Sequence, residues 1–282
     1  MRLFLLCALT MVAFAANSVL NRLALVSQDM DALTFGAIRL AAGALMLALL
    51  VALQRRGFAI GGRGRAVGVA TLLLYVFGFS LAYRALDAGL GALVLFGVVQ
   101  ITMFAGAVVA RDAVPFTRWA GAALAFGGLV WLLWPGGALA QPLLPVLAMA
   151  LAGVGWGLYS LAGRAAADPL QATAMNFVLA VPFGLTLVLL QGDPGPLSLS
   201  GVALAVTSGA LTSGLGYALW YAILPRLGAS RAAVAQLTVP VLAMTGGLVL
   251  LAEPVSLRIV LASLLVLGGV LLSALPLRRT VR

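Results

Sequence analysis

The polar side chains that interrupt the apolar stretches of this chain fall into a few regularly spaced groups. Phe14, Asn17, Ser18 and Asn21 recur at i, i+3, i+4 and i+7, so a helix would carry them on one stripe. Tyr75, Phe79 and Tyr83 stand four residues apart; Trp156 and Tyr159 sit beside Gly153 and Gly157; Ser213, Tyr217, Trp220 and Tyr221 share another face. Gln100 and Gln236 each lie inside an apolar run, as does Arg39, while Arg22 lies close to the end of one. Amides and hydroxyls offer both donors and acceptors, and aromatic rings offer apolar contact and attract cations over their faces. A guanidinium can bind a carboxylate through two parallel hydrogen bonds. This is the chemistry of recognition. Bond-making chemistry lacks its usual tools: the chain has no histidine, one cysteine (Cys7) and seven scattered acidic residues. That excludes histidine bases, histidine metal sites and an internal disulfide, and it leaves no nucleophile-base pair. No metal, no cofactor and no enzymatic activity are expected.

The elements that must position these residues follow from composition. Of 282 residues, 63% are hydrophobic and 9% charged, and the mean hydropathy is +1.16. A soluble domain cannot cover so much apolar surface, whereas a bilayer accepts it. One membrane-spanning helix takes about 20 apolar residues, so the length accommodates about ten. Turn residues and charges predict helices over 3–26, 32–53, 66–86, 90–110, 116–134, 143–163, 170–190, 199–224, 229–251 and 256–275. Arg2, the apolar run and Ala13-Phe14-Ala15 also have the form of a signal peptide. The run continues through Asn17 and Asn21 to Val26, and the expectation is a spanning helix.

All seventeen basic residues are arginine, for a net charge of +10. They are thinly spread between apolar segments, which speaks for topology rather than nucleic acid. With the N-terminus inside, thirteen fall on the cytoplasmic side: Arg2, Arg55, Arg56, Arg63, Arg65, Arg111, Arg118, Arg164, Arg226, Arg231, Arg278, Arg279 and Arg282. Arg22, Arg39, Arg84 and Arg258 are the remainder. Both termini are therefore placed in the cytoplasm, in agreement with an even number of spans.

The two halves of the chain echo each other. Gln100-Ile-Thr102 returns as Gln236-Leu-Thr238, and Gly91-Ala92 as Gly228-Ala229. Asp31 and Arg39 have the spacing of Asp168 and Asn176, and Gly127-Gly128 returns as Gly268-Gly269. The offsets cluster between 136 and 141 residues. Five spans per half is an odd number, so the second half would enter the membrane inverted, around a central site. The expected fold is all-α and integral to the membrane, with ten transmembrane helices in two inverted repeats, 1–136 and 137–282, around a central cavity.

These features resemble the drug/metabolite transporter superfamily, in its ten-helix EamA-type branch. The resemblance spans nearly the whole chain. It is carried by the two five-helix halves, by Arg39, and by Ala252-Glu253-Pro254-Val255-Ser256 followed by Gly268-Gly269. Arg111-Asp112 departs from the pattern, standing where the first half would have a Glu. The resemblance implies export of amino acids and related metabolites from a pocket walled by helices 1, 3, 4, 6, 8 and 9. It also implies a bacterial cytoplasmic (inner) membrane, a small-molecule solute as partner, and no cofactor; a monomer is compatible with it.

The site residues carry two readings each. Asn17 and Asn21 either wall a cavity or hydrogen-bond between helices. Tyr75, Phe79, Tyr83, Trp156, Tyr159, Tyr217 and Trp220 would line an aromatic pocket, whereas Trp119, Trp131 and Trp134 have the positions of interface anchors. Gln100 and Gln236 would grip a zwitterion from opposite sides, or bind neighbouring backbone. Arg22 is expected to snorkel to the interface, and Arg39 to form a structural or gating ion pair in preference to touching solute. Glu253 and Asp112 are expected to pair locally with Arg258 and Arg111. Gly153/Gly157 and Ala123/Gly127 have the spacing of close helix contacts, and Pro182 and Pro240 of kinks. A charge at mid-bilayer costs about 2.5–3.5 kcal/mol on insertion scales, and no carboxylate falls near the middle of any predicted span. The expected activity is facilitated flow of a neutral or zwitterionic solute, with amino acids, aromatic ones included, foremost. The alternatives are a lipid flippase or scramblase, or an exporter of another metabolite class.

Overall fold

The computed structural model describes residues 1–54, 57, 60–62, 64–111, 114–134, 142–164, 166–193, 195, 197–227 and 229–274. Arg55, Arg56, Arg63, Asp112, Gly228, Arg278, Arg279 and Arg282, named above, lie outside them. Among the described residues ten helices are long and apolar enough to cross a membrane. They are α1 (Arg2–Ser27), α2 (Ala32–Leu53), α3 (Arg65–Ala82), α4 (Ala88–Val109), α5 (Phe116–Leu133), α6 (Leu143–Arg164), α7 (Pro169–Gln191), α8 (Leu199–Leu227), α9 (two segments, Ala229–Gln236 and Thr238–Leu251) and α10 (Leu257–Ala274). Helix starts are set by local chemistry: Asp31 Oδ2 accepts from the N–H groups of Leu33 and Thr34, Asp168 Oδ1 from Gln171, and Ser198 Oγ from Gly201. Each cap satisfies donors that the first turn leaves free.

Two spans are irregular. In α8 the segment Ser208–Leu215 is π-helical, a widening that recurs at functional sites. The α9 helix breaks at Leu237, between its two segments. Pro240 explains the break: it has no N–H for the carbonyl four residues back, at Gln236. Pro182, by contrast, lies inside an unbroken α7. The span expected to run to 86 ends at Ala82 instead. The chain turns there, with the Ala85 and Leu86 N–H groups both donating to the Ala82 carbonyl.

Helix α1 packs on α8 and α9, and α6 packs on α3 and α4; α2 packs on α7, and α5 on α10. Glycines set several of these approaches. Gly153 and Gly157 bring α6 onto α4, facing the Leu95 and Val99 carbonyls. A Cβ on Gly127 would meet nothing within 4 Å, so the Ala123/Gly127 pair does not mediate the contact expected of it. The α5–α10 contact runs instead through Gly121, Gly128 and Gly269; a Cβ on Gly121 would overlap the Gly269 carbonyl and Ser273. Gly121→Val is expected to lower stability by about 1–3 kcal/mol or more, the usual cost of overpacking. Gly127→Val should be neutral by comparison. Thermal unfolding of the two variants in detergent checks the difference.

Candidate functional site

A cavity of about 350 Å³ is walled chiefly by four helices. Gln100 and Met103 come from α4, Trp156 and Ser160 from α6, Trp220 and Tyr221 from α8, and Ala232 and Gln236 from α9. Val99, Gly163, Pro169, Leu224, Pro225 and Ala233 complete it. These residues sit where α4, α6 and α8 end and where α7 and α9 begin. The chamber therefore lies in the half of the membrane next to the face at which α1 starts, the face of Arg2, Arg65, Arg111 and Arg226. Its wall is mainly apolar and aromatic, with two amides, the form that suits an amphipathic small molecule.

The other half is tightly packed. Tyr75, Phe79 and Tyr83 make a column with ring centroids 5.4 Å and 4.6 Å apart. Trp156 joins it at 5.0 Å from Tyr75 and 5.0 Å from Tyr217, and stacks on Tyr159 at 5.7 Å. Phe14 meets Tyr217 and Trp220 edge-on. Polar groups stitch the same layer. Asn17 donates to the Tyr75 hydroxyl (3.3 Å) and accepts from Ser208 (2.5 Å) and Thr212 (3.1 Å) of the π-helical turn. Asn21 donates to Ser80 at 3.0 Å. A gap of about 20 Å³ remains between Asn17, Tyr75, Phe79, Trp156 and Tyr217. Trp156 faces both this gap and the chamber.

Above the aromatic column lies a charged cluster that joins four segments. Arg22 Nε donates to Glu253 Oε1 (2.9 Å), its Nη1 to the Tyr83 carbonyl (2.9 Å) and its Nη2 to Asp87 Oδ1 (3.4 Å). Glu253 Oε2 accepts from the Ala88 N–H at 2.8 Å and so also caps α4. Ala252 ends α9 with φ 51, in the left-handed region, which turns Glu253 back over the helix. Such a conformation costs about 1–3 kcal/mol and is kept where the surroundings hold it. Gly247 leaves room for the carboxylate: a Cβ there would overlap Glu253 Oε2. The Arg22 and Glu253 side chains are 13% and 10% exposed, so the pair is nearly shut off from water. Arg22 thus does not snorkel, because a buried carboxylate holds it. Glu253 does not pair with Arg258, which instead donates to the Trp131 and Trp134 carbonyls.

Arg39 is fully buried. Its Nε donates to Ser213 Oγ (3.0 Å) and its Nη2 to the Tyr75 hydroxyl (2.9 Å). Its guanidinium carbon lies 5.0 Å and 5.1 Å from the Tyr75 and Phe79 ring centroids. The ion pair expected of it is absent among the described residues, where the salt bridges are those of Arg22. Asp31 and Asp168 serve as helix caps instead, and Asp87 and Glu253 face Arg22. Arg65, at the start of α3, reaches across to the Ala172 carbonyl (2.7 Å) and Asn176 Oδ1 (2.8 Å) of α7.

Of the residues singled out in the sequence, Gln100, Trp156, Trp220, Tyr221 and Gln236 meet in the chamber. Asn17, Tyr75, Phe79 and Tyr217 surround the small gap behind Trp156. Asn21 and Tyr83 are buried in the packed layer, where Tyr83 donates to the Ala88 carbonyl; Tyr159 is buried near the end of α6 and accepts from Asn176. Met103, Ser160 and Leu224 are chamber residues that the sequence did not single out; only their helical spacing from Gln100, Trp156 and Trp220 could have found them.

Comparisons with known proteins agree with this architecture. The EamA-like transporter family model matches residues 143–275. An uncharacterised protein of Pseudomonas aeruginosa is 48% identical over 275 residues, covering 98% of this chain and 95% of that one. An uncharacterised transporter of Archaeoglobus fulgidus is 45% identical over 62 residues, 22% of each chain. A protein of known crystal structure superposes with a TM-score of 0.67 at 21% identity, over 95% of this chain and 98% of its own. Ten apolar spans, a chamber in one membrane half and a full-length relative converge on one assignment: the chain belongs to the EamA-like transporter family.

Proposed function

We propose that this transporter exports small amphipathic metabolites, above all amino acids and among them aromatic ones, by alternating access. The observation that carries the reading is the chamber: about 350 Å³, walled by Gln100, Gln236, Trp156, Trp220 and Tyr221, in one half of the membrane, with the other half packed and latched. The amides suit the two ends of a zwitterion and the rings suit an apolar side chain. We place both termini in the cytoplasm of a bacterial cell, in the cytoplasmic membrane, on the arginine distribution. The chamber then faces the cytoplasm, where an exporter must load. The mirrored packing of α1 on α8 and α9 and of α6 on α3 and α4 supports reading 1–136 and 137–282 as two repeats that interlock across the molecule.

The test is counterflow in proteoliposomes. Vesicles are loaded with one unlabelled amino acid per sample, and entry of the same labelled solute is followed at equal pH on both sides. Saturable exchange is expected, strongest for aromatic amino acids. Absence of exchange for every amino acid, with the protein shown to be folded, would overturn the amino-acid reading and bring lipids and other metabolites forward.

A further inference from the structure

We infer that Arg39 is the receptor for a carboxylate on the transported solute, which makes the substrate class zwitterionic or anionic rather than neutral or cationic. The inference rests on the transporter reading above and deepens it. Its starting point is an incomplete set of partners. The Arg39 guanidinium is fully buried within a membrane span, no carboxylate pairs with it among the described residues, and its Nη1 has no hydrogen-bond partner. The Tyr217 hydroxyl is buried beside the guanidinium and interacts with it electrostatically. An Nη1 donor left unbonded on a buried positive charge is what a carboxylate would complete. A guanidinium held by Ser213, Tyr75, the neighbouring Tyr217 and two ring faces has its shape matched, yet no carboxylate among the described residues meets its charge.

Position favours the same conclusion. Tyr75, Phe79 and Tyr217 stand between Arg39 and the small gap, and Trp156 stands between that gap and the chamber. A solute bound in the chamber is thus two aromatic layers from the charge. Rotation of Trp156 and Tyr217 as the chamber occludes would bring its carboxylate to Nη1, with its side chain left among the rings. The π-helical turn supplies the fixed side of this receptor: it presents Ser213 to Arg39, and Ser208 and Thr212 to Asn17. Gly209 in that turn lies against the Arg39 carbonyl, where a Cβ would overlap it.

The experiment compares an amino acid with its methyl ester, which keeps the amine and side chain, loses the anionic group and adds one methyl, as competitors of labelled counterflow; the primary amide, of the same heavy-atom count as the acid, is the control for that methyl and should compete like the ester. In the unchanged protein the acid is expected to compete about ten- to a hundredfold better than the ester, the range for a hydrogen bond to a charged group. Asn17→Asp supplies a second arm. Asn17 and Arg39 both bind the Tyr75 hydroxyl, so a carboxylate at that place would sit beside the guanidinium with Ser208, Thr212 and Tyr75 as its donors. The expected result is a folded protein in which the preference for acid over ester is erased. Equal competition by acid and ester in the unchanged protein would overturn the inference by itself, as would an undiminished preference in folded Asn17→Asp. Either result requires working exchange, whereas failure of the transporter reading itself is exchange of nothing.

Discussion

Glu253→Ala is expected to open the side of the membrane that is closed in this structure. Glu253 holds Arg22, caps α4 at Ala88 and ties α9 to both. Removing one member of a buried ion pair costs about 3–5 kcal/mol, because the remaining charge is left without its partner. Asp87 offers Arg22 only a longer contact of 3.4 Å, with its own side chain 30% exposed. The loss falls on the conformation in which the latch is made, so the population shifts toward the alternative. A thiol at Ser18, which lines the gap beneath the aromatic column, reports the shift. In a Cys7→Ser background, Ser18→Cys should react with a membrane-impermeant reagent added at the Glu253 face at least about tenfold faster once Glu253→Ala is introduced. Arg22→Ala should act alike, and the double variant should add little to either, since both remove one interaction. Unchanged reactivity would mean that the cluster holds the loops without setting the gate.

Trp220→Ala and Gln100→Ala are expected to impair exchange by about tenfold or more each, for different reasons. Trp220 contributes a broad wall to the chamber and meets Phe14 at a ring distance of 5.9 Å. Its loss removes apolar contact from the solute and also about 3–5 kcal/mol of packing, so stability falls together with function. Trp220→Phe separates the two: it keeps a ring, and it should restore stability and much of the exchange of an aromatic solute. Gln100 lines the chamber and is only half-buried, so its truncation should leave stability nearly unchanged while raising the half-saturation concentration. Gln236, on the facing helix, should behave like Gln100. Exchange kinetics together with thermal unfolding in detergent distinguish these outcomes.

Much of the architecture was legible because length and hydropathy alone specify spans. The chamber's corners were legible too, since Gln100, Trp156, Trp220 and Gln236 are conspicuous in apolar helices and two of them are related by the repeat. What failed to show was whatever depends on docking. The Arg22–Glu253 pair joins residues 231 positions apart, and near a helix end the sequence favours the simpler reading that Arg22 reaches to the interface. Arg39 announces itself as an intramembrane charge, yet that no carboxylate among the described residues pairs with it is visible only once its neighbours are placed. The π-helical turn leaves a faint trace, the run of small residues Ser208-Gly209-Ala210 and Thr212-Ser213-Gly214, and the close approach of Gly209 to the Arg39 carbonyl of α2 appears only once the helices are placed. Gly127 misled for a related reason: small-residue spacing says that two helices can approach, and the partner decides which face they use.

The measurement that bears most directly on alternating access is sided thiol labelling with and without solute. Two single-cysteine proteins in the Cys7→Ser background suffice, one with Ser160→Cys in the chamber and one with Ser18→Cys beneath the latch. An impermeant reagent is applied from each face in turn. Alternating access predicts that Ser160→Cys reacts from the face of α1's start and Ser18→Cys from the opposite face. It also predicts that saturating amino acid changes the two rates in opposite directions. Reaction of both positions from both faces, at rates indifferent to solute, would describe an open pore and contradict alternating access.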